Sequence, residues 1–299
     1  MGTVEATLEA HRADVRSRLG RSAHVRPGPG SITWKINREM IVVVGWGRAI
    51  LLLLAHPAVA AAVHDHSGFR TSLLSRLRRL RSTVRAMLAL AFGDSEQMIA
   101  AAAGINTIHD RINGRVRDGT GDTYSAHDPE LLRWVHATLI DSILLAYERL
   151  VGPLTIPERD RYCAEAAIME PLLGMPEGWL PHDSAQLGAY MREMLAGASI
   201  EVTSTSRALA RAVLFPPRWH AVWPVFRAMQ ILTIGSLPQP LRHAYGFGWH
   251  ARDARALARW TAALRTSRKF LPSIAREWPM ARGPRALALK PCSKAAVQL

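Results

Sequence analysis

Two histidines lie in stretches whose apolar residues recur with helical spacing, and they have the clearest capacity for chemistry. His109 lies in INTIHDRINGRV, and His136 lies 27 residues later in DPELLRWVHATLIDS. An imidazole on an apolar helix face can ligate haem iron, while an arginine and a threonine on another helix can hold the propionates or line the other face. Arg79 and Thr83, four residues apart in RLRRLRSTVR, form such a pair. Together these residues predict a b-type haem pocket.

Each of these residues also has a purely structural interpretation. A lone buried histidine is most often paired with a backbone carbonyl or a carboxylate, because an unpaired buried imidazole is costly. The interpretation of His109 as an iron ligand therefore depends on a second helix, the one that carries Arg79 and Thr83. For His136 three roles stay open: a core histidine, a distal haem residue or second ligand, and the primary ligand. The arginines around Arg79 are expected to form a solvated basic face, and two roles stay open for Arg79: a member of that face, or an inward-turned partner of a propionate.

Composition limits the classes to which the chain can belong. Its 299 residues are 48% hydrophobic and 21% charged, as in a globular protein with a full core. The two cysteines, Cys163 and Cys292, form no CxxC motif. This excludes a c-type haem attachment and a structural zinc site, and it indicates a reducing compartment.

The net charge of +14 invites a polyanionic partner. No zinc-finger, RNP or basic-zipper pattern is present, so we expect no nucleic-acid partner. The arginines between Arg70 and Arg85 suggest peripheral contact with an anionic membrane. The apolar stretch 40–63 has the length of a membrane span but contains Arg48 and the His56-Pro57 step, which favours a buried helix that turns there. The first 20 residues lack the apolar core of a signal peptide, and we therefore expect a cytoplasmic protein.

Helix signals recur along most of the chain. Asp94 with Gln97 predicts a helix to about Ile112, Asp128-Pro129-Glu130 predicts a helix to Leu150, and Thr155 with Glu158 predicts a helix to about Leu173. Further helices are predicted over 71–92, 183–197, 204–214, 221–234 and 252–267. The pattern indicates an all-α protein with one large domain over 28–278 and with flexible segments at 1–27 and 279–299. The sequence His64-Asp65-His66 is interpreted as a loop.

A succession of short motifs then points to a known family. The motifs are AHPAVAAAVHDHSGF (55–69), RLRRLRST (76–83), IHDRINGRV (108–116), YSAHDPELLRWVHATLIDS (124–142), GPLTIPERDRYCAE (152–165), LLGMPEGWLP (172–181) and LPQPLRHAYGFGW (237–249). In content and order the chain resembles the latex-clearing protein and MpaB-type oxygenase family, from about Gly30 to Pro284. The resemblance is closest to the short bacterial branch of that family.

The resemblance implies an all-α fold with a globin-like core, a b-type haem held by a histidine, and oxygen-dependent cleavage of an isoprenoid double bond. In the rubber oxygenases an Arg-x-x-x-Thr step is followed about thirty residues later by the ligating histidine. Arg79 and Thr83 match the step. His109 follows Thr83 by 26 residues and His136 follows it by 53, so the resemblance favours His109 as the iron ligand and places His136 second. Thr83 and His136 would then act on the reacting side.

The expected function is that of a haem b-dependent oxygenase or oxidase. Its substrates would be O2 and an apolar molecule, either isoprenoid- or lipid-like or a small secondary metabolite. The alternative is a haem-binding sensor or carrier without turnover, associated with a membrane surface. The sequence leaves the product, the reductant and the oligomeric state open.

Overall fold

The computed structural model describes residues 2–66, 73–116, 122–215 and 223–282. In this part of the chain, helices dominate and a single two-stranded sheet is present, so the predicted all-α fold is confirmed. The helices are α1 (Gly2–Arg21), α2 (Ile32–Asn37), α3 (Val44–Leu53), α4 (Pro57–His66), α5 (Leu73–Phe92), α6 (Ser95–His109), α7 (Pro129–Leu150), α8 (Ile156–Ala166), α9 (Met169–Leu173), α10 (Ser184–Ala196), α11 (Ser204–Leu214), α12 (Trp223–Ser236), α13 (Gln239–Ala244), α14 (Ala251–Phe270) and α15 (Ser273–Arg276). Short 3-10 helices cover Met40–Val43 and Pro279–Arg282, and β1 (Asn113–Arg115) pairs antiparallel with β2 (Thr123–Ser125).

The predicted helix starts follow from local capping. The side chain of Asp94 accepts from the backbone N–H of Gln97, that of Asp128 from Glu130, and that of Thr155 from Glu158. Each cap satisfies a backbone donor that has no partner inside the helix. The predicted ends are less accurate. Helix α6 ends at His109 and is followed by the hairpin, and the helix predicted from Thr155 is divided into α8 and α9.

Helix α7 lies in the main hydrophobic core and packs closely against α3. Its Trp134 is fully buried. The contact with α3 is so close that a Cβ atom on Gly45 would lie 2.5 Å from the backbone oxygen of Ser142. Beside it, Arg48 Nη1 donates to Asp141 Oδ2 at 2.6 Å and to Ser142 Oγ at 2.8 Å. Glycine is therefore the residue that allows α3 and α7 to reach this distance.

The apolar stretch 40–63 bends where the sequence predicts. The 3-10 helix and α3 end before His56, α4 begins at Pro57, and the two parts are inclined by 107°. Among the described residues, no single helix has both the length and the apolar character needed to cross a bilayer, although this bent pair meets the criteria when its two parts are taken together.

The predicted flexible N-terminal segment, 1–27, is wrong for residues 2–21. These residues form α1, which packs against α6 and α9 and buries Val15 completely. Val4, Leu8, Val15 and Leu19 recur at spacings of four and seven and face inward. The charged residues between them conceal this narrow stripe in the sequence.

The predicted C-terminal tail, 279–299, begins too early. Residues 279–282 form a 3-10 helix in which Met280 is buried in a cluster with Trp34 and Phe92. Residues 283–299 lie outside the described residues.

The close contact at Gly45 can be tested with a matched glycine. Gly45→Ala should lower the free energy of unfolding by about 1–3 kcal/mol, because the added methyl group meets backbone that cannot move without disturbing α7. Gly104→Ala, at a helical position with nothing within 4 Å of the added carbon, should raise it by about 0.5–1 kcal/mol. Denaturant unfolding of both variants checks the pair. Equal effects of the same sign would contradict the close helix contact.

Candidate functional site

His109 and His136 lie on the two helices that flank the hairpin. His109 is the last residue of α6, and His136 lies in the second turn of α7. Both side chains are half-buried. Burial first, and then the charge of His109, lowers the pKa of His136 to about 4. The two imidazoles are therefore close enough to influence each other electrostatically, as a shared site requires.

His109 titrates in the same direction. Burial, followed by the neighbouring His127, lowers its pKa to about 4, and the opposing effect of Asp110 is smaller. At neutral pH both imidazoles are consequently uncharged. A neutral imidazole presents a ring-nitrogen lone pair, which is the form that binds a metal.

The ring nitrogens lack the partners that a structural histidine would have. His109 Nδ1 is buried and has no hydrogen-bond partner among the residues that the structure describes. In the described ranges, no hydrogen bond joins the ring of His136 to another group. Among the described residues, neither ring thus forms the bond to a carbonyl or carboxylate that a core histidine is expected to make.

Another buried polar atom lies one turn before His109 on α6. Asn106 donates from Nδ2 to the backbone oxygen of Leu172 at 3.0 Å, whereas its Oδ1 has no hydrogen-bond partner in the described part of the chain. Asn106 and His109 are three residues apart, so they lie on neighbouring positions of the same helix face. The structure thus brings an unused acceptor and an unused imidazole nitrogen to one face of α6.

A polar cluster at the C-terminal end of α6 packs against His109, and it could not be recognised in the sequence. Asp110 accepts from His11 Nε2 at 2.7 Å and from His127 Nε2 at 2.8 Å. The His127 ring in turn meets the His109 ring edge to face, with centroids 5.7 Å apart. Burial alone raises the pKa of Asp110, but the hydrogen bonds and charges of both histidines outweigh this and lower it. The cluster joins α1, α6 and the start of α7.

His64, Asp65 and His66 do not form the predicted loop, because they are the last turn of α4. Tyr124 of β2 donates to Asp65 Oδ2 at 2.9 Å, and the His66 ring is paired with the backbone oxygen of Asn113 at 3.2 Å. These contacts attach the hairpin between α6 and α7 to α4. Their role is to position the chain between the two site histidines.

Helix α5 carries Arg79 and Thr83 and packs against α6. Thr83 is exposed, while the side chain of Arg79 lies outside the described part of the structure. Only Gly93 and Asp94 separate the two helices along the chain. Arg79 and Thr83 therefore lie on a helix that is in direct contact with the helix that ends at His109.

In ranges 2–66, 73–116, 122–215 and 223–282, no group of three or more His, Cys, Asp or Glu side chains could hold a metal ion. A small cleft between α3, α7, α12 and α14 is lined by Arg48 and Arg149. Both arginines bond to Ser236 at the end of α12, Arg48 to its backbone oxygen and Arg149 to its hydroxyl. These hydrogen bonds connect the helices around the cleft, and neither site histidine lines it.

An all-α domain with two neutral, unpaired imidazoles defines a candidate histidine-ligated cofactor site. The chain belongs to the family described as the catalytic domain of the ER-bound oxygenase mpaB/B' and rubber oxygenase, whose sequence profile matches residues 34–266. It is thus an oxygenase-family protein, an oxidoreductase.

Two mycobacterial proteins are similar to the chain: "Uncharacterized protein Rv2237" of Mycobacterium tuberculosis and "Uncharacterized protein Mb2261" of Mycobacterium bovis. Each is 24% identical over 226 residues, which cover 75% of this chain and 87% of the relative. No solved structure gave a significant match.

The lowered histidine pKa values predict a stability that decreases in acid. A histidine whose folded-state pKa is below its unfolded value contributes stability in full above about pH 6.5, and this contribution is lost as the pH falls towards 4. We expect the free energy of unfolding to fall by about 2 kcal/mol between pH 7 and pH 5, after allowance for solvent screening. Denaturant unfolding at both pH values measures this loss.

His109→Gln/His136→Gln should weaken this pH dependence, with His56 supplying the remainder because burial lowers its pKa as well. His64→Gln, on a more exposed ring, serves as the control. If the double variant loses as much free energy of unfolding between pH 7 and pH 5 as the wild type, the lowered pKa values of His109 and His136 are contradicted.

Proposed function

We propose that this protein is a haem b-dependent oxygenase in which His109 is the axial iron ligand. The observation that carries the proposal is the uncharged His109 imidazole, with a buried nitrogen that has no partner, inside the domain of an oxygenase family. His109 is preferred over His136 because the matching Arg79–Thr83 step lies on the helix packed against α6.

The residues present fit a haem better than a bare metal ion. A porphyrin supplies its own ring of nitrogen ligands, so one or two neutral imidazoles complete the coordination. His109 and His136 provide this number. A ligating histidine also needs an acceptor for its second ring N–H, and the unused Oδ1 of Asn106 is within one helical turn of His109.

Each residue then has a distinct role. His109 would hold the iron, and Asn106 would fix the orientation of its ring. His136, neutral and with no hydrogen bond among the described residues, would be a second residue beside the bound haem, on the reacting side. Arg79 would pair with a propionate as a two-pronged donor, and the hydroxyl of Thr83 would line the edge of the pocket. When bound, the haem supplies the oxygen chemistry, while these residues supply binding, orientation and shielding from water.

The proposed co-substrate of O2 is an apolar molecule. The family description includes rubber oxygenase, whose substrate is an apolar polyisoprenoid. Around α7 the side chains are mainly apolar, so a low dielectric surrounds His136. We therefore propose cleavage or oxidation of an isoprenoid- or lipid-like carbon–carbon double bond.

Absorption spectroscopy tests the ligand assignment. The purified protein loaded with haem should show a Soret band, and His109→Ala should lose or strongly shift it because the axial bond is removed. His136→Ala should retain bound haem with a smaller spectral change, and His64→Ala, on α4 and outside the proposed site, should match the wild type. Full haem loading with an unchanged spectrum after both His109→Ala and His136→Ala would contradict the proposal.

Oxygen uptake separates an oxygenase from a haem carrier. Uptake that depends on an added polyprenoid or unsaturated fatty acid, with a reductant present, supports turnover. If O2 or CO binds reversibly but no O2 is consumed with any of these substrates, the haem site is supported and the oxygenase activity is refuted.

The α5 assignment predicts a difference between two adjacent arginines. Arg79→Ala should weaken haem binding by roughly 2–5 kcal/mol, because a buried propionate would lose its partner. Arg78→Ala, at an exposed position about 100° away around the helix, should change it by less than about 0.5 kcal/mol. Titration of the apoprotein variants with hemin measures both values. Equal behaviour of the two variants would remove Arg79 and Thr83 from the pocket and leave the histidine assignment intact.

A further inference from the structure

Helix α14 is a long surface helix whose outer side is strongly basic. Five of its cations are exposed and form no ion pair within the described part of the chain: Arg252, Arg255, Arg259, Arg265 and Lys269. Two other arginines near it are instead neutralised, since Arg268 pairs with Glu39 and Arg227 pairs with Asp253. The unpaired cations are therefore separate from the ion pairs that hold α14 in place.

These cations lie on one side of the helix. With about 100° of rotation per residue, the positions from Arg265 to Arg252 fall within an arc of about 140°. Inward-facing residues such as Asp253, Leu257 and Leu264 lie on the opposite side. The exposed positions between the cations are mainly alanines. No large side chain would therefore keep these charges away from the flat surface of a binding partner.

The sequence around this face contains no compensating acid. Residues 254–276 include six Lys or Arg residues and no Asp or Glu. The nearest acids, Asp253 and Glu277, are buried. The outer side of α14 therefore has a uniformly positive charge.

Exposed apolar side chains continue this face at its C-terminal end. Phe270 is 83% exposed, Ile274 is 68% exposed and Leu271 is 45% exposed. They lie within five residues of one another, at the turn between α14 and α15, directly beside Lys269. Large apolar side chains that cluster in solvent mark a surface that another apolar phase covers.

We infer that the outer side of α14 and the α14–α15 turn form a docking surface for an anionic lipid membrane. The cations of α14 would lie over the lipid phosphates, and Phe270, Leu271 and Ile274 would enter the boundary between headgroups and acyl chains. Charge complementarity with a polyanion accounts for the basic arc. The apolar turn distinguishes a membrane from a nucleic acid, because phosphate contacts alone need no exposed Phe or Ile.

This surface differs from the one that the sequence suggests. The arginines near Arg81 and Arg85 on α5 are also exposed, but they precede a partly buried stretch with no comparably exposed apolar residue. The inference does not depend on haem, because no residue of the surface is a site histidine. A protein that extracts an apolar substrate would gain from contact with the phase in which that substrate dissolves.

Vesicle co-sedimentation of the full-length protein tests the surface. We expect binding to phosphatidylcholine vesicles that contain phosphatidylglycerol, much weaker binding to phosphatidylcholine alone, and release by salt. Arg265→Gln/Lys269→Gln should weaken binding roughly 10- to 30-fold, since each cation near an anionic surface contributes a factor of about five. Phe270→Ser/Ile274→Ser should weaken it by about 10-fold or more through lost insertion.

Matched controls lie elsewhere on the protein. Arg81→Gln/Arg85→Gln removes the same charge from α5, and Val25→Ser removes an apolar side chain that is 81% exposed. Both should bind vesicles like the wild type, as should His109→Ala, and far-UV circular dichroism should show that every variant is folded. Equal loss from the α5 and α14 charge variants would overturn the proposal. The proposal would also be overturned if the protein did not bind the vesicles but bound a DNA duplex, with a dependence on the α14 cations and none on Phe270 and Ile274.

Discussion

Burial of an imidazole nitrogen without a hydrogen-bond partner costs free energy, and His109 carries this cost beside a second histidine, His136, whose ring forms no hydrogen bond among the described residues. His109 and His136 are both kept uncharged by burial, and the buried Nδ1 of His109 meets no acceptor. The surrounding helices must therefore be stable enough to maintain an unfavourable arrangement. Arrangements of this kind concentrate at functional sites, where a ligand later supplies the missing interaction.

The rest of the fold holds these two rings in place. Helix α7 is anchored to α3 through the close contact at Gly45 and the bonds of Arg48 to Asp141 and Ser142. Asp110 holds the end of α6 in place through two hydrogen bonds. One joins it to His11 of α1, and the other joins it to His127, which precedes the N-cap residue of α7. Contacts from α4 attach the hairpin that connects the two helices. His109 and His136 thus occupy fixed positions relative to each other, as a site that binds a rigid cofactor requires.

Local features of this protein could be read from its sequence, and long-range ones could not. The starts of α6, α7 and α8 depend on caps within four residues, so Asp94, Asp128 and Thr155 predict them correctly. The packing of α1 depends on a narrow stripe around Val15 that its charged neighbours conceal. The contact of His127 with His109 spans 18 residues and a hairpin of three-residue strands, which are too short to give a periodic signal. Exposure of Phe270 and Ile274 is likewise visible only after the chain has folded.

Replacement of the proposed ligand by a molecule in solution tests the account most directly. His109→Gly would leave space beside the iron position, and free imidazole could enter that space and take over the missing bond. We expect hemin-loaded His109→Gly to have an altered Soret band, and we expect added imidazole to restore the wild-type spectrum with a saturable dependence on its concentration. A His109→Gly protein that binds hemin with the wild-type spectrum in the absence of imidazole would contradict the assignment of His109 as the iron ligand.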